Sequence, residues 1–265
     1  YRDALMEGFR LLNKDDFLNT NSFIQIQSIL EPNKKGIRNV PNVAIRNSRI
    51  GEVIYTPPEG PEIIREKLKD FENYFNSKEG FDDIDPLIRA AVMHYQFEAI
   101  HPFLDGNGRT GRMLMVLYLV MVGRLDMPIL FLSKYILENR DEYYRLLLKV
   151  TTENAWKDWV QYILRGIDIQ ATETRSKILE IKKLMASYKK IGEEHKSSII
   201  TPQMMDYLFS NSFYSQKKMS EKLDVHRNTA SKYFTELEKL GVLEKFKHKK
   251  ENIYYNKKLL DILSY

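Results

Sequence analysis

The feature that most narrows the fold is the run Met113 to Val122, the longest apolar stretch in the chain, entered through the glycine-bearing segment Asp105-Gly-Asn-Gly-Arg109. A bilayer-spanning helix needs roughly 20 apolar residues; this run is about half that, and Arg124 and Asp126 interrupt its continuation. It predicts a helix buried in a protein core, and no membrane partner. Apolar residues at helical spacing in Ile63 to Phe75 and Pro86 to Ala99 predict helices around it, with Pro61 and Pro86 suited to first-turn positions. The 265 residues include no cysteine, which excludes a disulfide framework and a thiolate metal site and makes the cytoplasm the expected location. The chain opens at Tyr1 with no basic, apolar leader, so a trimmed N-terminus is expected.

One interruption of the helical pattern stands out. Asn42 to Arg46 and Glu52 to Thr56 are short and rich in β-branched residues, and Asn47 to Gly51 between them has turn composition, so a hairpin is predicted there, closed by Pro57 and Pro58. A charged amphipathic helix is predicted over Asp168 to Lys190, succeeded by the polar run Gly192 to Ser198. The expected division is a domain over 1–165, a linker helix over 166–200 and a small domain over 201–265. The net charge of +5 is concentrated in the last part: residues 201–265 carry 12 Lys/Arg against 8 Asp/Glu.

The chemistry is carried by His101-Pro-Phe-Leu-Asp105-Gly-Asn107-Gly-Arg109-Thr-Gly-Arg112, a loop leading into the apolar helix, which is expected to begin near Thr110. Gly106 and Gly108 permit positive φ and close backbone approach, so successive N–H groups can face one anion at the positive end of a helix dipole. Asn107 can take a left-handed conformation and still donate from its amide. Thr110 and Gly111 are expected among the phosphate-binding residues of this turn, and Arg109 and Arg112, three apart, share one face and offer two guanidinium forks. A triphosphate suits this cradle. Asp105 offers the hard oxygen that Mg²⁺ prefers, and His101 has the one side chain here whose ordinary pKa lies near neutrality, which suits a general base. Gly-x-x-x-x-Gly-Lys-Ser/Thr and His-Glu-x-x-His are both missing, so P-loop and zinc-peptidase readings fail.

This segment resembles the Fic family signature, His-x-Phe-x-Asp/Glu-Gly-Asn-Gly-Arg-x-x-Arg, at every specified position. The resemblance extends over residues 1 to about 165, including Leu132-Ser133-Lys134-Tyr135 and Asp141-Glu142-Tyr143-Tyr144. It implies a mainly α Fic-type helical domain with a β-hairpin flap. By the same resemblance His101 deprotonates a target hydroxyl that attacks the α-phosphate of ATP, releasing pyrophosphate, and Asp105 holds Mg²⁺. Asn107 with the Gly106 and Gly108 N–H groups would hold the α-phosphate, and Arg109 with Arg112 the β- and γ-phosphates. Asn139 and Tyr144 are the implied adenine contacts. Ile45, Val53, Ile54 and Tyr55 belong to the implied flap, which would hold a target segment as an added strand. Many members carry an inhibitory Ser/Thr-x-x-x-Glu-Gly/Asn helix. Glu7-Gly8 and Glu79-Gly80 fail that pattern, because Asp3 and Phe75 stand at the Ser/Thr position.

Beyond Thr201-Pro202, helices are predicted over Gln203 to Phe209, Gln216 to Leu223 and Arg227 to Leu240, stopped by Gly241. Strands are predicted over Val242 to Phe246 and Asn252 to Tyr255. This order resembles a winged helix-turn-helix, with Leu223, Val225, Tyr233 or Phe234, Leu237 and Leu240 as its core. The resemblance implies Arg227, Asn228, Ser231 and Lys232 as DNA-facing residues, with Lys247, Lys249 and Lys250 on the wing. The expected activity is protein adenylyl transfer to a Tyr, Thr or Ser hydroxyl. The expected partners are ATP and a protein substrate, with the chain itself a candidate substrate and DNA and a second copy further candidates. Two alternatives stay open: the same fold using another donor or removing AMP, and a nucleotide-sensing DNA-binding regulator.

Overall fold

The computed structural model describes residues 1–41, 43–46, 53–77, 84–248 and 251–264. The chain divides into two compact units, Tyr1–Thr174 and Arg175–Tyr265. Among the described residues no helix is long and apolar enough to cross a membrane.

The first unit is mainly helical: α1 (Arg2–Asp15), α2 (Thr20–Leu30), the hairpin strands β1 (Ile45–Arg46) and β2 (Val53–Tyr55), then α3 (Pro61–Asn76), α4 (Pro86–Ile100), α5 (Asn107–Met121), α6 (Leu132–Glu138) and α7 (Arg140–Glu153). The start of α8 (Trp156–Glu194) completes it; the segment 168–190 expected as a separate linker lies inside this helix. The central element is α5. Met113 through Leu119 are each at most 2% exposed, because α1, α2, α4 and α6 all pack against it. A helix that is apolar all round has nowhere else to go. Truncating a side chain such as Leu117 to Ala here removes about 2–5 kcal/mol of stability.

The termini of α4 explain where the site lies. Asp85 caps its start, its side chain accepting from Leu87 N–H at 2.8 Å, with Pro86 in the first turn. It ends at His101, which takes a left-handed conformation (φ 47) while its N–H still bonds Phe97 O at 3.0 Å. β1 and β2 pair antiparallel, Ile45 with Tyr55 and Arg46 with Val53. The turn expected at Asn47 to Gly51 lies outside the described residues.

In the second unit, α9 (Pro202–Ser210), α10 (Gln216–Leu223) and α11 (Arg227–Lys239) fall where expected, each begun by a side-chain cap from Thr201, Ser215 or His226. The strands are β4 (Glu244–His248) and β5 (Glu251–Tyr255). Two elements lie beyond those expected: β3 (Phe213–Tyr214), which pairs with β5 to make the sheet order β3-β5-β4, and the amphipathic α12 (Lys257–Ser264). The core settles the Tyr233/Phe234 alternative. Phe234 is fully buried and stacks on Tyr254 at 4.1 Å, whereas Tyr233 is only partly buried. Leu237 is also fully buried, while Leu223, Val225 and Leu240 pack at the margin.

Candidate active site

The loop between α4 and α5 is held from within. Asn107 is 3% exposed and its amide staples the loop: Oδ1 accepts from Phe103 N–H at 2.8 Å and Nδ2 donates to Phe103 O at 2.8 Å. That closure starts α5 at Asn107, three residues earlier than expected. It also corrects two backbone expectations. Gly106 alone among residues 106–108 has positive φ (85), whereas Asn107 and Gly108 are helical. The first intrahelical acceptor is Gly106 O, which takes Thr110 N–H at 2.9 Å. The N–H groups of Asn107, Gly108 and Arg109 therefore precede any helical partner, and no side chain caps them.

The residues of this turn line a cavity of about 400 Å³, together with His101, Leu104, Asp105 and Arg112 and with Ile136, Leu137, Arg140, Tyr143 and Tyr144 from α6 and α7. Both arginines reach it, though from different supports. Arg109 Nη2 contacts Glu31 Oε1 at 2.5 Å and lies 3.6 Å from Asp105 Oδ1. Arg112 Nε donates to Ser133 Oγ at 2.9 Å. Asp105 takes Gly106 N–H on Oδ1 (2.7 Å) and Lys34 Nζ on Oδ2 (2.6 Å). The Lys34 ammonium is the first cause that holds the Asp105 carboxyl below its ordinary range.

Burial, seconded by the Arg38 guanidinium, depresses His101 from 6.5 to about 4, so its imidazole is neutral at pH 7. Arg38, 3% exposed, donates from Nε to His101 O at 2.7 Å and from Nη2 to Pro58 O at 2.5 Å, joining the base to the segment just after β2. The backbone of Ile37 bridges to Phe103 beside it.

The other anticipated residues are dispersed. Tyr144 lines the cavity, with the Arg140 guanidinium 5.5 Å from its ring centre. Asn139 does not line it: its amide donates to Tyr135 O at 2.9 Å, and it borders a separate cavity with Glu138, Glu142 and Arg165. Val53 is exposed and Ile45 half-buried, and the Ile54 side chain lies outside the described residues. Tyr55 lines a larger, more apolar cavity of about 580 Å³ with Tyr95 and Trp156. In the second unit Arg227, Asn228 and Lys232 are exposed and Ser231 half-buried along α11. Lys247 is exposed too, while Lys249 and Lys250 lie outside the described residues.

Sequence reading alone misses Glu31, Lys34, Arg38, Glu98, Leu137, Arg140 and the supporting role of Ser133. Glu98 alone carries a local signal, as an acid flanked by Phe97, Ala99 and Ile100 on an apolar helix.

Residues 11–119 match the Fic/DOC family, and residues 184–259 match the C-terminal domain of SoFic-like protein adenylyltransferases. The chain is 33% identical over 161 residues to protein adenylyltransferase fic-1 of Caenorhabditis elegans, covering 60% of this chain and 30% of that one. It is 30% identical over 198 residues to protein adenylyltransferase Fic of Drosophila willistoni, covering 72% and 37%. It thus spans about a third of the length of these relatives. A Fic family protein from Desulfovibrio desulfuricans superposes with a TM-score of 0.54 at 18% identity, over 97% of this chain and 74% of that one, which shows the shared fold. The molecule therefore carries a Fic/DOC domain followed by a SoFic-like C-terminal domain.

Proposed function

We propose that the first unit binds ATP at the start of α5 and transfers its AMP moiety to a hydroxyl group of a protein, releasing pyrophosphate. The observation that carries this reading is a neutral imidazole, His101, on the wall of the same cavity that holds the uncapped N–H groups of α5 and both guanidinium groups. In the reaction, His101 takes the proton of the incoming hydroxyl as its oxygen bonds to the α-phosphorus. The bond from that phosphorus to the bridging oxygen breaks, and its electron pair leaves with pyrophosphate. The N–H groups of Asn107, Gly108 and Arg109 face the α-phosphate oxygens, and Arg109 and Arg112 hold the β- and γ-phosphates, so catalysis is positioning plus charge stabilisation. The apolar wall of Ile136, Leu137 and Tyr144, with Arg140 over the Tyr144 ring, suits a purine base.

Magnesium fits the residues present. Asp105 offers one half-exposed carboxylate at the cavity rim and already accommodates a cation, the Lys34 ammonium. One carboxylate with phosphate oxygens and water is the donor set that Mg²⁺ takes in such sites. Asp105 would hold the ion, which would supply neutralisation of phosphate charge when bound. The hairpin β1–β2, tied to His101 through Arg38, is the proposed holder of the target segment. In keeping with this, the relatives are named protein adenylyltransferases.

Incubation with Mg·ATP and a cell extract, with mass spectrometry for added AMP, tests the proposal. Labelling by the natural protein and none by His101→Ala is the expected result, and equal labelling by both refutes it. UTP, GTP and CDP-choline offered in parallel test the donor.

A further inference from the structure

Behind the phosphate-facing turn lies an ionisable group that the proposed reaction does not use. Glu98, on α4, is 5% exposed, and its Oε1 has no hydrogen-bond partner among the described residues. The titratable and charged groups around it are few. His94 on its own helix stands 3.9 Å away through Nδ1, itself without a partner; its Nε2 shares a hydrogen bond of 3.1 Å with the Tyr143 hydroxyl on α7. Arg112 on α5 acts on it through space, the two lacking an ion-pair contact among the described residues. Two glycines of α5, Gly108 and Gly111, stand against the carboxyl. A Cβ on Gly111 would stand 2.8 Å from Oε1, and one on Gly108 would stand 3.7 Å from Oε1 and 3.1 Å from Arg112 Nη1. The carboxyl is thus packed against the backbone of the turn that carries the proposed phosphate donors, close to one arm of the phosphate clamp.

We propose that Glu98 is a positioning residue for phosphate binding: it takes up a proton from solvent when nucleotide phosphates engage Arg112, so that the clamp's positive charge is freed for the ligand. The inference rests on the ATP-binding reading. A buried carboxylate without hydrogen bonds is costly, and here the Arg112 guanidinium offsets part of that cost. Phosphates arriving at the same guanidinium add negative charge in a poorly screened interior, and the carboxylate responds by becoming neutral. Burial places the carboxyl at about 7 before ligand arrives, with Arg112 opposing that rise, so near pH 7 about half the molecules have a proton still to gain.

The test is calorimetric titration of Mg·ATP into His101→Ala protein, which cannot turn over, in two pH 7 buffers of different ionisation enthalpy. Uptake of about half a proton per nucleotide is expected, falling to none in His101→Ala/Glu98→Gln. Affinity in the first protein should fall up to about tenfold between pH 6 and pH 8, whereas in the double variant it should stay flat at the pH 6 value. Should the amide disturb folding, Glu98→Met provides a neutral side chain of similar length. Equal proton uptake with and without Glu98, or weaker rather than tighter ATP binding at pH 8 in the double variant, overturns the inference while leaving the ATP reading intact. Lack of any ATP binding overturns both.

Discussion

Two helices in this molecule begin with similar residues and different fates. α5 opens Gly106-Asn107-Gly108-Arg109, and α11 opens His226-Arg227-Asn228. Both present backbone N–H groups and an arginine at the positive end of a helix dipole. α11 satisfies itself, His226 Nδ1 accepting from Asn228 N–H at 3.2 Å, with Arg227 and Asn228 in solvent. α5 has a left-handed glycine at the cap position, no side chain on its donors, and cavity walls from α6 and α7 around them. The difference teaches that the dipole and the arginine are common to both starts, and that α5 is set apart as the candidate phosphate site by donors without a side-chain cap beside a walled cavity.

Substitutions can break this contrast. The largest expected effect is on turnover: His101→Ala should lower AMP incorporation by about 10³-fold, whereas Arg227→Ala at the other helix start should leave it unchanged. Next is Gly111→Ala, whose Cβ would meet Glu98 Oε1 at 2.8 Å and Phe97 Cδ1 at 3.1 Å. A loss of about 1–3 kcal/mol in chemical denaturation is expected, with weaker ATP binding.

The buried acid and imidazole beneath α5 sharpen the comparison through pH. Burial raises Glu98 from 4.5 to about 7, so the folded state holds a proton that the unfolded chain releases, and stability is lost as pH rises from 4.5 to 7. Burial lowers His94 from 6.5 to about 3, so its contribution is lost as pH falls from 6.5 to 3. Glu98→Gln should therefore raise the melting temperature at pH 8, by a stability gain on the order of 3 kcal/mol, and leave it unchanged at pH 4. The smallest effect belongs to α11: His226→Ala removes one exposed cap and should cost about 0.5–1 kcal/mol, with no change in ATP affinity.

Distance along the chain decides how much of the fold and the site is legible in the sequence. The buried helix, the hairpin strands and the chemistry of residues 101–112 are local patterns, and periodicity, turn composition and a compact signature all lie within short windows. The start of α5 falls three residues before its expected place because the Asn107 amide, which by sequence suits a ligand donor, closes the loop on Phe103 instead. Glu31 and Lys34 are invisible in the sequence because they reach Arg109 and Asp105 across more than seventy residues, and only the packing of α2 against α5 brings them there. β3 is two residues long, too short for alternation to register. Asn139 stays off the wall of the candidate site because its amide bonds Tyr135 O at the junction of α6 and α7, which no local pattern encodes.

The Arg38 guanidinium acts as a yoke. With one arm on the carbonyl of the imidazole-bearing residue and another on Pro58, it ties the segment just after β2 to the residue that carries the imidazole. A displacement of the segment after β2 would then reach His101 by a path of two hydrogen bonds through one guanidinium.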